Sequence, residues 1–229
     1  MRGYALRPGP AGGGPMKHQT ILFDFDGTLL YTVEDLANAV NYAIAKRGYP
    51  THSVPAIQRM VGNGVNKLVA RALPQGFDTP DYGDILDDFR AHYQQHCFDS
   101  TRPYEGVLEM LRAFQAQGRK MAIVTNKYQT AAEAMRLRFF SEAVPLIVGD
   151  LEGRARKPAP DGCRIALEAL GSDGSDAVYV GDTEVDQQTA QNAGLAFAAV
   201  SWGYRSRAEL EALGIETIAD RPEELLTLI

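Results

Sequence analysis

Five short apolar runs recur along the chain, and none alternates apolar with polar residues: Thr20-Ile-Leu-Phe-Asp24, Lys120-Met-Ala-Ile-Val-Thr125, Pro145-Leu-Ile-Val148, Asp176-Ala-Val-Tyr-Val180 and Ala196-Phe-Ala-Ala-Val200. A strand with one wet face reads with period two, whereas an unbroken apolar run reads as a strand covered on both faces. Helical patterns lie between the later runs. Val107, Leu108, Leu111 and Phe114 share a face ahead of Gly118, and Ile165, Leu167 and Leu170 lead to Gly171; glycine just past the last periodic residue is a helix stop. Strand alternating with helix predicts an α/β fold, a doubly wound parallel sheet with helices on both faces. In such sheets ligands sit beyond the carboxyl ends of the strands.

One stretch breaks the rhythm. From about Thr32 to Pro103 the periodicity is helical and no run reads as a strand. Leu36, Val40, Ile44 and Arg47 recur at helical spacing, with Thr32 and Asp35 as a capping pair and Gly48 as the stop. Further helices are predicted near residues 54–61, 64–73 and 81–97. The expected organisation is an α/β core over residues 16–31 and 104–229, with a helical insertion at 32–103 directly after the first strand. Residues 1–15 are rich in Gly and Pro, precede a second methionine, Met16, and lack the apolar stretch of a signal peptide. They are expected to be a disordered tail or a non-native extension.

The 229 residues suffice for a sizeable core. A net charge of −6 offers no footprint for nucleic acid or an anionic membrane surface, so neither is an expected partner. If the ligand were a phosphate ester, the same field would repel it, and local cations or a bound metal would have to attract it. Cys97 and Cys163 lie far apart without metal-site spacing, which fits a reducing compartment and a cytoplasmic location. Apolar runs such as Leu195-Ala-Phe-Ala-Ala-Val200 are too short to span a membrane.

The chemistry-bearing residues fall at predicted strand ends. In Asp24-Phe-Asp26-Gly-Thr28 the two carboxylates are two residues apart, so along a strand they face one side. Paired carboxylates repel unless a cation or a shared proton separates their roles; one then serves as nucleophile and the other as acid and base. Alone, the motif also reads as a polar strand end with a turn. A second cluster, Asp182-Thr-Glu184-Val-Asp186, follows another buried run, and a helix starting there puts Asp182 and Asp186 on one side. Oxygen-rich sets of this kind suit magnesium, although acids also gather at helix N-termini because of the dipole. Thr125, Asn126 and the backbone beyond them offer phosphate ligands. Lys157, ahead of a helix marked by Pro158 and Pro160, offers a cation that can hold a phosphate and moderate the acids.

The ordered set DFDGT, VTN, KP and GDTEVD resembles the four motifs of the haloacid dehalogenase-like superfamily, and the likeness spans Thr20 to Trp202. The resemblance implies a Rossmann-like core, a mobile helical cap and an aspartyl-phosphate mechanism. It assigns Asp24 as the nucleophile and Asp26 as the group that protonates the leaving oxygen and then activates water. Thr125, Asn126 and Lys157 are implied as phosphate ligands. Magnesium is the implied cofactor, held by Asp24, the backbone carbonyl of Asp26 and Asp182, with Asp186 in support. Dehalogenases of the superfamily lack the acid at Asp26, so its presence points to phosphoryl transfer from a small phosphorylated metabolite.

The segment Val61-Gly-Asn63-Gly-Val-Asn66-Lys67 is similar to the cap loop of bacterial phosphoglycolate phosphatases, as are Tyr104-Glu-Gly106-Val and Ser201-Trp-Gly-Tyr-Arg205. The implied substrate is 2-phosphoglycolate, with Gly62 and Asn63 as cap contacts. A sugar phosphomutase, or a phosphatase of the same superfamily acting on pyrophosphate, nucleotides or small sugar phosphates, are the alternatives. One departure is Tyr31-Thr32, where related phosphatases carry an acid followed by Ser or Thr; it bears on the cap hinge or pocket. His92 and His96, four apart without a suitable third ligand, read as cap surface, and Tyr93 as packing.

Overall fold

The computed structural model describes residues 18–229; the expectation for residues 1–15 lies outside them. In chain order the elements are β1 (Thr20–Phe23), β2 (Leu30–Tyr31), α1 (Val33–Ala45), α2 (Val54–Met60), α3 (Val65–Arg71), α4 (Tyr82–His96), β3 (Arg102–Pro103), α5 (Val107–Ala116) and β4 (Lys120–Tyr128). There follow α6 (Gln129–Phe140), β5 (Leu146–Asp150), α7 (Asp161–Leu170), β6 (Ala177–Gly181), α8 (Glu184–Ala193), β7 (Ala196–Val200), α9 (Arg207–Ala212), β8 (Ile218–Ala219) and α10 (Leu225–Leu228).

Six strands form one parallel sheet in the order β5-β4-β1-β6-β7-β8. The chain builds outward from β1 to β4 and β5, then crosses to β6 on the other side of β1, which makes the carboxyl end of β1 the switch point. Alternate residues of β1 enter opposite cores. Ile21 and Phe23 pack with Phe114, Ile123 and Val180, while Leu22 packs with Val124, Val148, Cys163 and Tyr179. Both faces are buried, which is the physical reason the strand sequences do not alternate.

β8 and the antiparallel pair β2–β3 are two residues per strand, too short to carry a sequence pattern. The pair β2–β3 joins the two crossings between the core and the helical insertion. α1, α2, α3 and α4 lie between these crossings, and Val40, Ile44, Ile57 and Phe89 close their common core.

Two local expectations differ. Thr32 and Asp35 form no capping pair: the Thr32 hydroxyl pairs with the Tyr204 hydroxyl at 2.7 Å, and Asp35 accepts the backbone N–H groups of Ser100 and Thr101, both at 2.9 Å. Both side chains thus bond to remote segments rather than to their own helix end, satisfying buried polar groups there. Ile165 stands on the outer side of α7, whose buried face is Cys163, Ala166 and Leu167. Tyr31 packs edge-on against Tyr104 at 5.8 Å with the Arg102 guanidinium 4.4 Å from its ring, beside the β2–β3 pair.

Candidate active site

The carboxyl ends of β1, β4 and β6 meet at one cleft. β1 stops at Phe23, and Asp24 is held in line by its N–H donating to the Val180 carbonyl at 2.8 Å. Gly27, at φ +91°, turns the chain immediately afterwards, and a Cβ there would lie 2.4 Å from the Asp182 carboxylate. A Cβ on Gly203 would sit 2.3 Å from the Gly27 carbonyl oxygen and 2.5 Å from Asp182. These glycines let two loops close over one buried acid. Asp24, Asp26, Thr125, Asn126, Lys127 and Lys157 line the floor of the cleft, and Val61, Gly62 and Tyr93 face them from the insertion.

Asp24, Asp182 and Asp186 each offer an oxygen within 4.8 Å of the others. Lys157 lies among them, its Nζ 2.7 Å from Asp24 Oδ1 and 2.8 Å from Asp186 Oδ1, and it donates to the Tyr179 hydroxyl at 3.0 Å. Asp186 Oδ2 accepts the Thr183 N–H at 3.0 Å, its hydroxyl at 2.7 Å and the Asp182 N–H at 3.2 Å. Asp182 accepts the Thr28 hydroxyl at 2.9 Å and the Tyr204 N–H at 2.7 Å.

Burial, with the Asp186 charge beside it, pushes the Asp24 carboxyl up to about 7 against the pull of Lys157. Asp182 is raised well above the usual carboxylate range by burial and then by Asp186 and Asp24. Burial by itself would lower Lys157, but Asp186 and Asp24 hold it well above its ordinary value. When ionised, three buried carboxylates against this one ammonium leave two negative charges unbalanced. An all-oxygen donor set with that deficit fits a hard divalent cation.

Asp26 faces the same cleft with a different partner. Lys127 Nζ donates to its two oxygens at 2.9 and 3.3 Å and to the Tyr93 hydroxyl at 2.7 Å. From sequence alone the Lys127 side chain has no marked role and Tyr93 reads as packing, whereas here Lys127 bonds both Asp26 and Tyr93. The position of Lys127 one residue beyond Thr125-Asn126 was the available signal. Nothing local marks Tyr93, which reaches the site from a helix at the far side of the cleft. Asn126 engages the Lys157 backbone on both sides, accepting its N–H at 2.8 Å and donating to its carbonyl at 3.1 Å, so its amide shapes the loop that carries the lysine. Gly62 lines the cleft, whereas the Asn63 side chain turns away to accept from Arg71.

The family model described as haloacid dehalogenase-like hydrolase matches residues 21–200. The chain is 32% identical over 217 residues to the N-acetylmuramic acid 6-phosphate phosphatase of Pseudomonas aeruginosa, covering 93% of this chain and 96% of that one. It is 31% identical over 220 residues to a phosphoglycolate phosphatase of Thiobacillus denitrificans, covering 94% and 97%. A solved structure from Lactobacillus delbrueckii subsp. bulgaricus, provisionally assigned as a phosphoglycolate phosphatase, superposes with a TM-score of 0.88 at 32% identity, over 92% of this chain and 97% of that one.

Proposed function

From the premise that this chain belongs to the haloacid dehalogenase-like hydrolases, we propose that it hydrolyses a small phosphate monoester by way of an aspartyl-phosphate on Asp24. It is a phosphatase. The observation that supports the mechanism best is the division of labour between two carboxylates in one cleft: Asp24 beside Lys157, and Asp26 beside Lys127. An Asp24 oxygen attacks phosphorus, and the ester oxygen leaves with a proton from Asp26. Asp26 then takes a proton from water as that water attacks phosphorus and breaks the bond to Asp24. Lys157 and Thr125 hold the transferred group, Lys157 opposing charge on its oxygens.

Asp24, Asp182 and the backbone carbonyl of Asp26 would hold magnesium, with Asp186 in support, and the ion supplies the positive charge that the carboxylate cluster and a phosphate both require. Asp186, its oxygens already engaged by Lys157, Thr183 and the Asp182 N–H, orients the lysine. Residues 32–103 act as the cap, pivoting at β2–β3 to exclude bulk water during transfer.

Two substrates come from relatives. The cap-loop likeness favours 2-phosphoglycolate, and the equally full-length match to an N-acetylmuramic acid 6-phosphate phosphatase favours an amino-sugar phosphate. Phosphate release from a panel of monoesters and pyrophosphate, with magnesium and with chelator, tests the reading. Magnesium-dependent release from a monoester is expected. Isomerised product with little free phosphate would replace hydrolysis by a mutase.

Metal binding must displace protons held by the raised carboxyl groups. Their folded pKa values lie above the unfolded ones, so without metal the fold binds more protons than the unfolded chain. The stability they contribute is present below about pH 4 and is lost as pH rises through about 7, the value to which burial and Asp186 push the Asp24 carboxyl. Magnesium should therefore stabilise more at pH 8 than at pH 5.5. At 100-fold excess over its dissociation constant, about 2.7 kcal/mol corresponds to a Tm gain of roughly 5–10 °C at pH 8. Thermal unfolding with magnesium or chelator at both pH values checks this; an equal gain at both would refute it.

A further inference from the structure

α4 of the insertion and α6 of the core both line the cleft, whose volume is about 660 Å³. Among the described residues, Gln58, Arg90 and Tyr93 reach from the helices of the insertion to the core. Gln58 donates to the Gly203 and Tyr204 carbonyls at 3.2 and 3.3 Å, and Arg90 to the Tyr128 hydroxyl at 3.1 Å. Tyr93 differs in what its partner holds. Its hydroxyl accepts from Lys127 Nζ at 2.7 Å, and the same ammonium donates to Asp26 Oδ1 at 2.9 Å and Oδ2 at 3.3 Å.

An ammonium has three N–H donors, and these three acceptors take them up, which leaves Lys127 none to direct at a phosphate. Its stem is fixed by the backbone. The β4–β5 register shifts between Val124 and Tyr128, and an irregularity of this kind re-aims side chains; Thr125 and Lys127 both line the cleft. A Cβ on Gly149 of β5 would lie 2.8 Å from the Lys127 carbonyl oxygen, so the two strands close tightly there. Tyr93 is stacked on Phe89 at 5.6 Å, and both Tyr93 and Lys127 are buried. Held in this way, Asp26 can carry a proton on Oδ2, the farther oxygen, while Oδ1 stays with the lysine. A carboxyl free to rotate would bring that proton within reach of the leaving oxygen in only some of its orientations.

We propose that Tyr93 and Lys127 are positioning residues for Asp26. The Tyr93 hydroxyl, carried on the insertion, seats Lys127. Lys127 in turn aims Asp26 at the leaving oxygen, and afterwards at the attacking water, while the insertion is closed over the core. The proton passes from Asp26 to the ester oxygen as its bond to phosphorus breaks, and from water to Asp26 as the acyl phosphate is cleaved; Lys127 keeps its own protons in both steps. This rests on the phosphatase reading above and concerns how its acid and base is set.

The test uses the leaving group. p-Nitrophenol departs as a stable anion and needs no proton, whereas an alkyl alcohol does. Release of the first equivalent of alcohol is measured by rapid quench, with magnesium, in the parent protein and in Tyr93→Phe. The substrates are p-nitrophenyl phosphate and whichever alkyl monoester of the panel above the parent hydrolyses fastest. The variant keeps the ring and removes one acceptor from Lys127. Its loss on the alkyl ester is expected to exceed its loss on the aryl ester by at least about tenfold, part of the roughly 10²–10⁴-fold that a positioned acid contributes. Hydroxylamine-labile phosphate should also stand higher on the variant than on the parent during turnover of p-nitrophenyl phosphate, because water attack is slowed more than loading. Lys127→Met should show both signatures more strongly, and it carries the test should Tyr93→Phe fold poorly. Equal losses on both esters in a folded variant, as removal of a phosphate ligand would give, or no loss on either, would overturn the proposal. Release from no ester by the parent would overturn the phosphatase reading and this role with it.

Discussion

Asp24→Asn is expected to release phosphate from no ester, a loss of at least about 10⁴-fold, while folding as well as the parent protein. The amide keeps the shape of the side chain but offers no anionic oxygen to phosphorus. Stability should not suffer, and in metal-free protein at pH 8 it should rise or stay level. Asp24 is pushed up to about 7 by burial and by Asp186, so holding it ionised at pH 8 opposes folding, and the neutral amide escapes that cost. Lys157 keeps Asp186 as a partner at 2.8 Å. The measurements are phosphate release, metal-free Tm, and hydroxylamine-labile phosphate on quenched enzyme, which an acyl phosphate leaves on the parent and not on the variant. Release above about one per cent of the parent rate would remove Asp24 from the role of nucleophile.

Lys157→Met acts in the opposite sense on stability. It strips the ammonium from a buried site where Asp24 and Asp186 both depend on it, at 2.7 and 2.8 Å. Removing one partner of a buried ion pair leaves uncompensated charge, and the expected cost is about 3–5 kcal/mol in metal-free protein at pH 8. The loss should shrink as pH falls through 7, because carboxyl groups whose folded pKa is raised take up protons more readily in the folded chain than in the unfolded one. With magnesium bound, part of the stability should return and the catalytic defect should remain, near 10²–10³-fold in kcat for one lost charge-stabilising donor. Urea midpoints at pH 8 and pH 5.5, at constant slope, together with phosphate release, test this. A variant equal to the parent at pH 8 would show that the lysine does not hold the acids together.

The motifs lay close to the cleft because the polar site residues follow the apolar runs directly, at the ends of β1 and β6 and in the last part of β4. Phe23 and Gly181 close β1 and β6, and in β4 the apolar run gives way to polar residues after Val124, so Asp24, Thr125 and Asp182 lie towards the carboxyl edge of one sheet. Parallel register at β1, β4 and β6 then brings those edges level. The missed elements were short or remote. β2, β3 and β8 have two residues each, and no periodicity can be read from two residues.

What the sequence by itself determined was the core: unbroken apolar runs demand strands covered on both faces, helical periodicity supplies the covers, and acids at the run ends mark the reacting edge. The partners of the acids were decided only by the tertiary structure. Lys127 bonds Asp26 from 101 residues away, Tyr93 reaches that lysine from the insertion, and Tyr204 closes over Asp182 from the loop after β7. The volume above them is likewise set by which helix faces which, since Ala131 and Ala134 are ordinary helix residues until α4 lies opposite. Local sequence encodes a backbone preference and a buried face; it does not encode which distant side chain will satisfy a buried charge, because that depends on packing across the whole fold.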